Sequence, residues 1–166
     1  MVASVSYDVE DEGARPPTFG LVVLQSEETL EDEFRYFLRD RRVVLHHTRI
    51  PSGEAVTLET LGAMEENLGS AIGLFPAGAR FDVIGYACTS AASVIGEARV
   101  SELITGARPE AASTNPATAL KAALGVLGAQ RVSVLTPYNV AVTQDIVAML
   151  EKDDFKVTSV TTFNEE

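Results

Sequence analysis

Apolar residues along this chain switch repeatedly between two spacings, and the switches divide it into strands and helices. Phe19-Gly20-Leu21-Val22-Val23-Leu24 is a short continuous apolar run, the mark of a strand buried on both faces. Ser26 stands where a helix N-cap belongs, and Leu30, Phe34, Phe37 and Leu38 follow at helical spacing with acidic residues between them. A second strand is predicted over Val43 to Ile50, stopped by Pro51-Ser52-Gly53. Leu58, Leu61, Met64, Leu68, Ile72 and Leu74 predict one long amphipathic helix, ended by Pro76 and Gly78. Phe81 to Tyr86 reads as a third strand, and it delivers Cys88.

The second half continues the alternation. Glu97 to Gly106 is helical in pattern, and Arg108 to Ala112 a short strand. Pro116 occupies a first helical position, with that helix running to Leu127 before Gly128. Arg131 to Thr136 then reads as a strand, Val140 to Leu150 as a helix and Lys156 to Phe163 as a last strand. Strands with apolar cores alternating with helices predict an α/β fold, a Rossmann/flavodoxin-like parallel sheet with helices on both faces. Residues 1–17 fall outside this pattern: two prolines, four acids and no apolar period predict a flexible acidic leader.

Charge narrows the function classes. The chain has 13 basic and 24 acidic residues, a net charge of −11, and no basic stripe on any predicted face. Phosphate backbones would be repelled, which argues against nucleic acid as a partner. No apolar run approaches the ~18 residues of a membrane span, and no secretory leader is evident. The single cysteine excludes an intramolecular disulfide, and together these features predict a cytoplasmic setting.

In open parallel sheets ligands bind beyond the carboxyl ends of the strands, where strand order reverses. That rule selects three polar loops: Gln25-Ser26, Cys88 to Ser93, and Thr136 to Asn139. Cys88 sits among Thr89, Ser90 and small residues, so a ligand has close access to backbone and hydroxyls. The residues alone leave two readings open, a tuned reactive thiol and an inert small core residue. Tyr138 and Asn139 offer a phenol and an amide for clamping a small polar ligand, and Asn139 equally suits capping the helix from Val140. His46 and His47 are adjacent on a strand and point to opposite faces, so with Cys88 they make no metal-ligand set. The acids from Glu27 to Glu33 read as a solvated helix face. Neither a phosphate-binding loop nor a dinucleotide fingerprint is present, and no cofactor is indicated.

Leu24-Gln25-Ser26-Glu27-Glu28-Thr29-Leu30-Glu31, Ile84-Gly85-Tyr86-Ala87-Cys88-Thr89-Ser90 and Leu135-Thr136-Pro137-Tyr138 occur here in order. In these motifs the chain resembles the maleate cis–trans isomerase and arylmalonate decarboxylase branch of the aspartate/glutamate racemase superfamily. It is most similar to the ectoine-utilisation protein A type, over nearly the whole chain from Phe19. The resemblance implies two similar α/β lobes around a cofactor-free site, with a cysteine from each lobe facing a small carboxylate or dicarboxylate. It makes Cys88 the first-lobe thiol, a nucleophile that adds to a double bond or an acid/base. Thr89 and Ser90 would hold a substrate carboxylate. Gln25, Ser26, Thr136, Tyr138 and Asn139 would be further substrate contacts.

On this resemblance, 18–115 is the first lobe and 116–166 the beginning of the second, which the chain is expected to carry only in part. A shortened lobe would expose apolar surface, which predicts self-association into a homo-oligomer. A second departure is Glu27, where the isomerases carry asparagine, because an acid there repels a dicarboxylate. The expected activity is cofactor-independent isomerisation or racemisation of a small carboxylic acid. A decarboxylase of the same superfamily, and a non-catalytic small-carboxylate-binding or assembly module, are the alternatives. A flavodoxin-like domain without small-molecule chemistry is a third.

Overall fold

The computed structural model describes residues 2–8 and 15–165. Strands β1 (Thr18–Leu24), β2 (Val44–Ile50), β3 (Val83–Tyr86) and β4 (Ala112–Thr114) form a parallel sheet in the order β2-β1-β3-β4. Leu21, Val22 and Val23 of β1 are all buried. Successive strand side chains leave opposite faces, so three buried in a row mean a strand covered on both sides. Gly20 is small for a reason: a Cβ there would come within 3.0 Å of the Phe75 ring. The sheet is pinned at its lower edge, where Asp82 accepts from Thr18 N–H at 2.7 Å and pairs with Arg15 at 2.7 Å. Val44 N–H also donates to the Pro17 carbonyl, so the end of the predicted 1–17 leader is tied to the sheet. Residues 1 and 9–14 of that leader lie outside the described residues.

Helices flank the sheet. The single long helix expected from Leu58 to Leu74 is two, α2 (Leu58–Ala63) and α3 (Glu65–Gly73), meeting at Met64. Bonds of the tighter i→i+3 kind, Met64 N–H to Leu61 O and Asn67 N–H to Met64 O, mark the break. Leu61, Met64, Leu68 and Ile72 remain buried across it, so the apolar face survives. A further pair, α4 (Thr89–Ile95) and α5 (Glu97–Ala107), is divided by Gly96, whose φ of +89° suits glycine. Val22 and Ile84 of the sheet share one core with Leu68, Ile72, Val100 and Ile104.

The short strand expected over Arg108 to Ala112 is displaced toward Thr114. Arg108 to Ala111 instead close a turn, with Ala111 N–H on Arg108 O, and the Arg108 guanidinium bonds to Phe75 O at 3.0 Å.

After α6 (Pro116–Val126), strands β5 (Arg131–Tyr138) and β6 (Lys156–Glu165) pair in a separate two-stranded parallel sheet, joined by α7 (Val140–Lys152). Pro137 is accommodated at an irregularity in the β5–β6 register. A two-stranded sheet is marginal alone, and links to the first sheet's helices hold this one. Ser93 of α4 donates to Asp145 of α7, and Lys121 of α6 bonds both Glu97 of α5 and Asp153. The outer side leaves Leu135 and Phe163 exposed. Among the described residues no helix is long and apolar enough to cross a membrane.

Candidate active site

The chain leaves β1 for β2 on one side and later places β3 on the other, so strand order reverses beside β1. A cleft of about 510 Å³ opens at the carboxyl ends of the strands there. Leu24, Leu30, Phe34, Val56, Leu61 and Met64 give it an apolar lining. Neutral polar lining comes from Cys88, Thr89, Ser90, Asn115 and Tyr138.

Cys88 follows β3 in extended conformation and is the N-cap of α4, so the segment read as a polar loop is a helix start. The cap works through sulfur, a donor–acceptor type absent from ordinary cap rules, which is why the pattern did not announce it. Its Sγ accepts from Ala91 N–H at 3.4 Å, and Ser90 Oγ lies 3.6 Å away. The thiol is 6% exposed and lines the cleft. Negative charge developing on the sulfur would therefore meet a hydrogen bond already in place.

Two phenols frame this thiol. Tyr86 is buried with its hydroxyl 3.5 Å from Met64 Sδ, and burial pushes its pKa far up, with neighbouring Cys88 adding to the effect. Burial likewise raises Tyr138, the Ser90 hydroxyl acting in the opposite direction. Both phenols stay protonated at neutral pH; Tyr86 spends its one O–H on Met64 Sδ, while the Tyr138 hydroxyl keeps a donor for an anionic ligand.

Glu27 is the one ionisable carboxylate on the cleft lining among the described residues, and no Lys or Arg lines it. Its Oε1 accepts from Thr29 N–H at 2.8 Å, Leu30 N–H at 3.0 Å and Thr29 Oγ1 at 3.0 Å. It thus does the capping of α1 (Leu30–Leu38) that the pattern assigned to Ser26, whose hydroxyl instead meets Ser52. These bonds, the Thr29 N–H first, hold its carboxyl below the usual carboxylate range. Arg49 secures the same loop by donating to the carbonyls of Leu24 and Glu27.

A depressed pKa stabilises the fold above the ordinary carboxylate pKa, and that stability is lost as pH falls through the folded value. Glu27→Gln keeps an acceptor but no charge. Near neutrality it should be less stable by about 0.5–1 kcal/mol, the cap being partly solvated. The gap should close below about pH 4, the ordinary carboxylate range. Urea midpoints of the two proteins across that range measure it, and a gap independent of pH would refute the assignment.

Of the residues proposed from sequence, Cys88, Ser26, Thr89, Ser90 and Tyr138 come together on the cleft. Three do not. Gln25 is exposed and off the lining. Thr136 is buried, hydrogen-bonded to Thr143 Oγ1 at 2.6 Å, and lines a smaller cavity of about 360 Å³. Asn139 caps α7 through Val142 N–H and donates from Nδ2 to Val56 O at 2.9 Å, so its amide joins the two sheets' loops. Asn115 was missed. Its signal, Asn-Pro opening a helix after a short strand, resembles ordinary capping. His46 meets the Phe81 ring edge-to-face, while His47 Nε2 is buried without a partner among the described residues and burial lowers its pKa.

The fold that carries this site is similar to those of maleate isomerases and of arylmalonate decarboxylase. The particular relatives are maleate isomerases. That of Pseudomonas putida is 30% identical over 152 residues, covering 83% of this chain and 60% of the relative. That of Nocardia farcinica is 33% identical over 148 residues, covering 83% and 58%. The chain therefore spans about three fifths of the length of the curated relatives it matches.

A structure of a Nocardia farcinica maleate cis–trans isomerase mutant with a covalently bound succinylcysteine intermediate superposes with a TM-score of 0.77 at 31% identity. That superposition covers 91% of this chain and 65% of the other. A liganded arylmalonate decarboxylase mutant shares the fold at 22% identity, with a TM-score of 0.74 over 89% of this chain and 62% of the other. No family model matches the chain.

Proposed function

We propose that this chain carries the thiol side of a cofactor-independent isomerase/racemase-type site for a small carboxylic acid, with a maleate-like cis-diacid as the leading substrate. The observation that carries this reading is Cys88: a cleft-lining thiol held by Ala91 N–H and flanked by the hydroxyls of Thr89 and Ser90. The covalent succinylcysteine seen in the Nocardia farcinica relative supports it.

In the proposed step the Cys88 sulfur adds to one alkene carbon. The π electron pair moves to the neighbouring carbon and its carboxylate, which takes up the thiol proton. The former double bond is now single and turns. Loss of the proton and expulsion of the sulfur re-form the alkene in the trans geometry. Thr89, Ser90 and Tyr138 donate to the carboxylate as charge builds on it, the role of a preorganised polar lining. The apolar residues of the lining limit competing water. A place in ectoine breakdown is the physiological setting that the sequence resemblance suggests for such a step.

Iodoacetamide labelling tests the reading. Native Cys88 should be alkylated through the cleft, and maleate should slow the labelling in a saturable way. Protection with no fumarate formed would identify a binding module, the alternative reading. A Cys88 that resists alkylation until the protein unfolds would remove both.

A further inference from the structure

The amide of Asn115 is fixed at one end and unclaimed at the other. It directly follows β4, is 5% exposed, and its Oδ1 accepts from Thr118 N–H at 3.0 Å as the N-cap of α6. That bond sets which way the amide faces. Nδ2 then carries two N–H donors with no acceptor among the described residues, an arrangement that is costly for a buried amide. Nor is Nδ2 sealed away: Asn115 lines the cleft, and the sealed, unpartnered side-chain polar atom among the described residues is His47 Nε2. Capping alone does not call for an amide, since Ser and Asp cap as well. What asparagine adds here is the donor.

Sheet order supplies the direction. Glu27 follows β1, Cys88 follows β3 and Asn115 follows β4, and the strands lie in the order β2-β1-β3-β4. The anion and the free amide therefore flank the thiol on opposite sides. Thr114 is in register with Gly85, and neighbouring strands are roughly 5 Å apart, a separation that a four-carbon diacid spans. A second carboxylate is repelled on the Glu27 side. On the β4 side it meets Nδ2 and the positive end of α6, which is 11 residues long.

We propose that Asn115 binds the second carboxylate of a small unsaturated diacid whose first carboxylate lies at Thr89 and Ser90, and so sets a preference for diacids over monoacids. The proposal rests on the reading of Cys88 as a substrate-facing thiol.

The test compares maleate with cis-2-butenoate, the same carbon chain with a methyl in place of one carboxylate. Each is assayed for protection of Cys88 against iodoacetamide in native protein, Asn115→Ser and Asn115→Asp, both variants retaining a capping oxygen. The half-protecting maleate concentration should rise about ten- to hundredfold in Asn115→Ser, the loss of a hydrogen bond to a charged group. The value for cis-2-butenoate should stay put. Asn115→Asp should lose maleate protection at least as completely, and it decides the matter if the serine variant fails to fold. An equal change for both acids, or none for maleate, assigns Asn115 to capping alone and overturns the proposal while leaving the thiol reading intact. Failure of maleate to protect native Cys88 that iodoacetamide does label overturns both together.

Discussion

Cys88→Ala should abolish conversion of a small cis-unsaturated acid, by about 10²–10⁴-fold or more if the sulfur acts in the reaction itself. The loss belongs in turnover and not in folding. The thiol contributes one sulfur hydrogen bond at the start of a seven-residue helix, and alanine removes little buried volume. A fall in urea stability of no more than about 1 kcal/mol is expected, the scale of losing a cap. Cys88→Ser separates the two effects further, since its oxygen restores the cap to Ala91 N–H but is a far weaker nucleophile. Proton NMR of maleate and fumarate with each variant measures it. Turnover retained in Cys88→Ala would show that the chemistry lies elsewhere.

The second large effect is one of stability. Phe81→Ala should cost about 3–5 kcal/mol, the usual range for emptying a buried aromatic site. Phe81 is fully buried just before β3, with ring centroids 4.8 Å from Phe75 and 5.4 Å from His46, and with the Arg108 guanidinium 5.6 Å from its ring. Those neighbours come from three separate segments, so collapse around the void would have to move several elements at once. Against a typical stability of about 5–15 kcal/mol such a loss leaves the protein marginal. Phe81 lies at the amino end of β3, away from the cleft at its carboxyl end. The folded fraction should therefore show unchanged Cys88 labelling and a much lower urea midpoint. A midpoint within experimental error of native would contradict this account of the core.

The elements were legible where the apolar period is local. The continuous run in β1, the Pro116 start of α6 and the pattern over α7 all appear where the spacing puts them. What the period does not encode is hydrogen-bond bookkeeping at the ends. The break at Met64 arises because two successive turns tighten, while the buried positions stay in phase across it. The capping of α1 fell to Glu27, because a longer side chain reaches forward from before the helix to its first N–H groups. α4 escaped notice because a seven-residue helix of five small residues and then Val94-Ile95 is too short to show a helical stripe.

The site divides in the same way. Cys88, Thr89, Ser90 and Tyr138 could be picked out because a strand end and a polar loop are visible in one dimension. Asn115 could not, because its place beside the thiol depends on β4 pairing with β3. Asn139 and Thr136 show the converse. Their polar groups looked available in the sequence, but Val56 and Thr143 engage them in the fold.

The central claim is that the Cys88 sulfur meets the substrate, and acid-quenched mass spectrometry after incubation with maleate tests it most directly. A Cys88-containing peptide heavier by one maleic acid is expected, absent when the incubation contains succinate, which has no double bond to attack. Unmodified Cys88, alkylated by iodoacetamide equally fast with and without maleate, would contradict it.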